Sequence, residues 1–299
     1  MRVFLWAALA LLTACQSVTP LPPLPAWQGR EGLQHADLGL IRDLRSGATL
    51  TPAQLVEQLA AAPRVLIGEK HDNPDQHAMQ LWLLKALQQQ REPGSLLLEM
   101  LTPAQQGKVT AVQAASQARQ MPVDLPAALA WQANWAWSLY GPIIRYGLLQ
   151  PAPLLAANLE RDEIMAIYRT QPRLPAGQAT QAPVQQALLA QIETSHCGLL
   201  PAAQLPAMLA VQQQRDRRMA ERLLAAPTPA VLLAGAFHVR RDLGVPLHLQ
   251  DLGAPHGGER VLILAEVGQT VSAASADFVW YSPAMPAQDH CASMRSNPR

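Results

Sequence analysis

Short apolar runs separated by polar turns set the pattern of the chain from Val65 onward. Val65-Leu66-Ile67 is an apolar, partly β-branched run of the kind that fills a buried parallel strand. Gly68 lets the backbone turn, and Glu69-Lys70-His71-Asp72 follows. Asn73-Pro74-Asp75-Gln76 has the order of an N-cap, a proline at the first helical position and a capping-box glutamine, so a helix starts just past the strand. Leu96 to Met100 (LLLEM) supplies the next strand. In an open α/β sheet ligands bind beyond the carboxyl ends of the strands, and a helix N-terminus there favours anionic groups.

The same alternation continues along the chain. Thr51-Pro52 and Thr102-Pro103 each read as a cap followed by a first-turn proline, the second helix running to Gln120. Pro126 to Tyr140 reads as a helix with Trp131 and Trp135 on one face and Trp137 and Tyr140 on another, ended or kinked by Gly141-Pro142. Leu154 to Asn158 predicts a strand, Val231 to Val239 one ending in His238, and Val261 to Val267 and Phe278 to Tyr281 two more. Between them, Glu163 to Ala226 has no strand pattern and reads as a helical excursion. The predicted fold class is α/β, a mostly parallel sheet with helices on both faces and a helical cap insertion over residues 160–226. One domain is expected over 29–290, with a tail at 291–299.

Composition narrows this further. At 299 residues and 49% hydrophobic content the chain can bury one large core, and a net charge of +1 gives no sign of nucleic-acid binding. Met1-Arg2, an apolar run to Leu12 and the tetrad Leu12-Thr13-Ala14-Cys15 read as a lipoprotein signal peptide over 1–14, with Cys15 lipidated and a proline-rich tether over 15–28. Acyl chains would hold the protein on a lipid membrane at roughly 0.8 kcal/mol per buried CH₂. Gln16-Ser17, with no Asp directly after the cysteine, matches sorting to the outer membrane of a Gram-negative bacterium. Cys197 and Cys291 are then left in an oxidising compartment, where a disulfide is expected. The alternative for Cys197, beside His196, is a thiolate nucleophile or metal ligand.

Polar groups recur at the predicted carboxyl ends: Glu69 and His71, Glu99, Asn158 and Glu160, and His238. Four strands delivering such groups point to one shared site, in which two His and two Glu ligate a divalent metal or act as general acid and base. The bland alternative is hydrogen-bonded turn and core residues. His77 reads equally as a packed or capping residue or as a ligand, and no role is assigned to His35, His248, His256 or His290. In Gln214 to Met219 (QRDRRM) Arg215 and Asp216 point to different sides of a helix; the run is a solvated face unless one turns inward to brace the site. The aromatics Trp131, Trp135, Trp137, Tyr140 and Tyr146 form core, or a wall for a flat apolar ligand.

Seven segments in order, GEKHDNPDQH (Gly68 to His77), LLLEM, WSLYGPI (Trp137 to Ile143), AANL (Ala156 to Leu159), HCGLLP (His196 to Pro201), QQQRDRRMA (Gln212 to Ala220) and GAFHVRRDLGVP (Gly235 to Pro246), resemble the ChaN-like haem-binding, iron-regulated lipoproteins. That resemblance implies an outer-membrane lipoprotein assisting haem uptake, together with a haem receptor as partner. It also implies a homodimer around two stacked haems, each iron held by a tyrosine and the propionates by a histidine and a lysine. Carried onto this chain, Lys70 and His71 become the propionate contacts and Tyr140 the iron ligand, with Tyr146 and Tyr168 behind it. A more distant resemblance to erythromycin esterase and Tiki-type hydrolases implies the alternative, a metal-assisted esterase or protease using Glu69, His71, Glu99 and His238.

Overall fold

The structure, a computed structural model, describes residues 20–289 apart from His256, together with Cys291, Ala292 and Arg295. The predicted signal peptide, Cys15 and the first part of the tether lie outside the described residues. Two short strands, β1 (Ile41–Asp43) and β2 (Thr49–Leu50), precede α1 (Pro52–Ala60). Next come β3 (Arg64–Glu69), α2 (Pro74–Gln90) and β4 (Ser95–Leu98). Helices α3 (Pro103–Gln117), α4 (Leu125–Ala128) and α5 (Trp137–Leu149) lead to β5 (Leu154–Ala156). The excursion holds α6 (Arg161–Thr170), α7 (Ala182–Ser195) and α8 (Leu205–Ala225). The chain then forms β6 (Ala230–Gly235), the helical turn α9 (Ala236–Val239), α10 (Val245–Asp251), β7 (Glu259–Glu266) and β8 (Phe278–Ser282).

One eight-stranded sheet results, in the order β2-β1-β8-β7-β3-β6-β4-β5. β3 to β8 run parallel and only the edge hairpin of β1 and β2 is antiparallel. Alternation along each strand loads both faces. Val65 and Ile67 join a core with α1, α2, α3 and α5, while Leu66 joins a second core with α8, α9 and α10. The chain leaves β3 for β4 and β5 on one side, then returns to β6 beside β3 and crosses to β7 on the other. The carboxyl ends of β3 and β6 therefore flank a switch point, where a crevice is expected.

The opening unit forms for the reasons its residues carry. Asn73 accepts from the amides of Asp75 and Gln76, capping α2 with Pro74 at its start. Gln76 does not close a capping box; it reaches back to the Lys70 amide and across to the Ser282 hydroxyl, tying the turn to β8.

Other segments differ from expectation. Residues 126–140 are not one helix: Ala130 takes φ +47 and the Trp131 amide closes onto the Pro126 carbonyl, so the chain loops and α5 begins at Trp137. Gly141-Pro142 then lies in the second turn, where Gly141 admits the Trp137 ring, since a Cβ there would lie 2.8 Å from it. His238 is on α9 and not on the strand. The hairpin of β1 and β2 carried no readable alternation. Residues 20–29 pack on the domain: Leu21 and Trp27 touch the core, Pro22 accepts from the Trp82 indole, and the Asp75 carboxylate accepts from the Gln28 and Gly29 amides.

Gly68 shows how closely the site side is packed. A Cβ there would lie 2.4 Å from Val239 Cγ2 and 2.7 Å from Ala236 Cα. Overpacking of this kind costs about 1–3 kcal/mol. Gly68→Ala is expected to lower the thermal midpoint by several degrees in calorimetry and to displace α9, and an unchanged midpoint would refute the packing account.

Candidate functional site

Strand register brings the acidic groups to one edge. Glu69, the last residue of β3, pairs with Gly235, the last of β6, and Glu99 directly follows β4. Glu69, Glu99 and Asp216 are each no more than 2% exposed. Two hydrogen-bonded groups form. In the first, Glu69 Oε1 lies 2.7 Å from His71 Nδ1 and accepts from the Tyr140 hydroxyl at 3.1 Å. In the second, His238 bridges two carboxylates, Nδ1 at 2.5 Å from Asp216 Oδ1 and Nε2 at 3.3 Å from Glu99 Oε1. The other Glu99 oxygen accepts from the Gly235 amide at 2.9 Å. The two groups meet over Gly235, whose missing Cβ would sit 2.9 Å from His71 Nε2 and 3.7 Å from Glu99 Oε2.

The charges follow from this packing. Burial opposes a charged His238, but Glu99 and Asp216 outweigh it and hold the imidazole up at about 10. Burial likewise opposes a charged Glu99, yet His238 first and then His71 and Arg215 keep its carboxyl well below the usual carboxylate range. His71 is raised on balance: burial lowers it, and Glu69 and Glu99 more than compensate. Burial and the neighbouring Glu69 push the Tyr140 hydroxyl far above its ordinary value. At neutral pH the site therefore holds a His238 imidazolium against the Glu99 carboxylate, a His71 ring biased towards its charged form, and a neutral Tyr140 phenol.

Around the pairs, the His77 ring donates from Nε2 to the His71 carbonyl at 3.0 Å and stands edge-on to Tyr140. Trp135 stands edge-on to His71. The Asn158 amide holds the Glu99 carbonyl at 2.8 Å, so Asn158 positions the β4 exit. Glu160 turns away and accepts from the Ala104 amide. Asp216, from the charge run on α8, is the site residue that the sequence left open. It falls in phase with the buried Met219, Ala220 and Leu223, and an acid at a core phase was the available signal. Among the described residues no group of three or more His, Cys, Asp or Glu is placed to hold a metal ion. Glu69 thus contacts His71, and Glu99 contacts His238.

Above these pairs lies a cleft of about 860 Å³ between the sheet edge and the cap helices α7 and α8. Glu69, Lys70, His71 and His238 reach it, with Ile192, Met208, Val211, Phe237, Ile263 and Val271 as apolar walls. Lys70 is already paired with Glu266 at 3.0 Å and Asp72 at 3.4 Å. None of the four tyrosines lines the cleft. Tyr140 lies buried behind Glu69, and the Tyr146 hydroxyl donates to the Leu84 carbonyl and Gln88 between α2 and α5. Tyr168 is on α6 and Tyr281 on β8. Cys197 is joined to Cys291 in a disulfide, which removes it as a nucleophile.

A nearly all-parallel sheet with a charged, capped cleft at its switch point defines a ligand-binding α/β protein. The model of the family described as haem-binding uptake, Tiki superfamily, ChaN, matches residues 55–249, and the chain belongs to that family. A structure of cofacial haem binding to ChaN of Campylobacter jejuni is similar at a TM-score of 0.73 and 27% identity, over 81% of this chain and 95% of that one. An erythromycin esterase mutant in its open conformation gives 0.43 at 12% identity, over 82% of each chain. A succinoglycan biosynthesis protein gives 0.38 at 11%, over 71% of this chain and 68% of that one. At such scores neither of these two carries weight on function. Comparison with curated proteins gives no match.

The cleft offers a small ligand apolar walls and a cation. Its volume falls in the range of about 300–1,000 Å³ usual for small-molecule sites. Phe237 is half exposed on its wall. Arg215 faces the cleft, has no ion-pair partner among the described residues, and keeps a buried Nε–H without an acceptor. An orphaned guanidinium donor is what a propionate would satisfy.

The pH response of the fold comes from the buried pairs. His238 is raised on folding, so its contribution is full below its ordinary value of 6.5 and is lost as pH climbs through about 10. Glu99 is lowered, so its contribution is present above 4.5 and is lost as pH falls towards its depressed value. Thermal unfolding from pH 5 to 10 should show an alkaline decline that His238→Gln flattens, and a decline of equal slope in both proteins would refute the assignment.

Proposed function

We propose that this protein is a haem-uptake lipoprotein, held on the outer membrane through acylated Cys15, that carries haem in the cleft between the sheet edge and the cap. Family membership supports the haem, and the orphaned Arg215 donor beside apolar walls is the observation that carries the placement. The cofacial haem of the Campylobacter jejuni relative supports a homodimer formed on haem binding, and an outer-membrane haem receptor is its proposed partner. Bound haem would supply the redox-active iron. The chain's own residues would hold its edges: Arg215 as the free cation, His71 half exposed at the rim, and Lys70 by giving up part of its pairing with Glu266.

Tyr140, the tyrosine of the family-like motif, reaches an iron only by leaving its buried position and releasing Glu69. Haemin titration of the purified protein, read at the Soret band beside size-exclusion mass, should saturate and double the mass. Arg215→Gln should weaken binding by about tenfold to a hundredfold, the loss expected for a hydrogen bond to a charged group. Haem dimethyl ester should bind wild type and variant alike. An unsaturable spectrum would sink the proposal, and an unchanged affinity in Arg215→Gln would sink the placement.

The floor of the cleft favours a second reading, hydrolysis by the acid–base pairs. Glu69 Oε2 is buried with no donor, and two imidazoles share the edge with it. In a screen of ester and peptide substrates, Glu99→Gln should then cost about 10²- to 10⁴-fold in rate while leaving haem affinity intact. No turnover by the wild type would remove this reading.

A further inference from the structure

We infer that a short tether holds the outer side of α2 against the lipid bilayer and leaves the cleft out of contact with lipid, an orientation that rests on the acylation of Cys15 proposed above. The chain reaches the domain at a fixed place. Leu21 and Trp27 pack on the core that α1, α2, α3 and α5 share. The Trp82 indole donates to the Pro22 carbonyl at 2.9 Å. The Gln28 and Gly29 amides donate to the Asp75 carboxylate at 2.7 and 2.8 Å, and Asp75 is buried. Residues 21–29 are thus a strap along α2, so whatever holds Cys15 holds the domain at Pro20.

The strap also has a direction. β3 and β4 both pair with β6 in parallel, so α2 between them runs the opposite way, with its first turn beside the carboxyl ends of the strands. From Asp75 to Trp82 the helix advances about 10 Å towards their amino ends. Traced back from Gly29 to Pro22, the strap therefore leaves the edge where the cleft opens. The cleft walls Ala236, Ile263 and Val271 pack with the second core, across the sheet from α2. Pro20 is five residues on from Cys15, a reach of at most about 18 Å. A domain of this size has a radius of gyration of about 18 Å and hence a width of about 45–50 Å, so the tether cannot pass around it to the cleft. The surface beside the exit suits lipid headgroups. The outward stripe of α2, Pro74, Ala78, Leu81 and Lys85, carries one cation and no carboxylate, and Leu24 of the strap is 51% exposed. Lys85 can lay its stem along that stripe and its ammonium among phosphates. The cap instead turns Asp162, Glu193 and Glu221 to solvent, which an anionic bilayer repels.

The test adds the acylated full chain to preformed vesicles of phosphatidylethanolamine and phosphatidylglycerol. A variant with a long, flexible Gly/Ser spacer inserted after Ser17, outside the folded domain, is treated in the same way. A membrane-impermeant, lysine-acylating reagent is applied briefly, and modification is read by peptide mass spectrometry. Lys70, at the cleft, serves as the reference for Lys85 on α2. In the wild type Lys85 should react, relative to Lys70, at least about fivefold more slowly than in the spacer variant. Equal ratios in the two proteins, or Lys70 as the shielded lysine, would overturn the orientation while leaving the lipid anchor in place. A wild type that does not float with the vesicles would overturn the anchor itself, and this inference with it.

Discussion

Three carboxylates buried along one sheet edge are the constraint on which the rest of this site depends. Each of Glu69, Glu99 and Asp216 would cost several kcal/mol in a dry interior unless matched by charge and hydrogen bonds. Two imidazoles, one phenol and the Gly235 amide do the matching. Those partners must in turn be held. Trp135 and His77 brace His71 and Tyr140, and Gly235 is bare because any side chain would enter the space where the pairs meet. Asp216 comes from α8, so the cap joins the sheet through a buried charge as well as through its apolar face. Losing one member strands the others, which is far costlier than the pair is worth when complete.

Much of this arrangement was legible in the sequence, and the failures have physical causes. Val65 to Gln76 declared itself because strand, glycine, cap and proline occur in order and each acts locally. Glu69, His71, Glu99 and His238 could be grouped because parallel strands deliver their last residues to a common edge. Asp216 stayed ambiguous because a long helix in a basic run hides which of its faces is buried, a matter that only tertiary packing decides. The Trp-rich segment was misread since its aromatic spacing fits a helix, while Ala130 turns left-handed and the loop buries the same rings without helical phase. Tyr146 carried no local sign that its hydroxyl would turn towards Gln88.

The cleft has two layers with different physical demands. Its walls, with Arg215, His196 and Phe237, are half-solvated and suit holding a flat, carboxylated cargo. Its floor is dry and charged, and cargo binding alone does not require it. A buried ion pair adds little net stability over apolar packing. A buried acceptor with no donor, such as Glu69 Oε2, costs about 1–3 kcal/mol outright. Among the described residues that oxygen is one floor acceptor that the fold leaves unanswered. It sits on a carboxylate whose other oxygen already holds an imidazole and a phenol, so a donor arriving from the cleft would find the pair oriented and its charge in place.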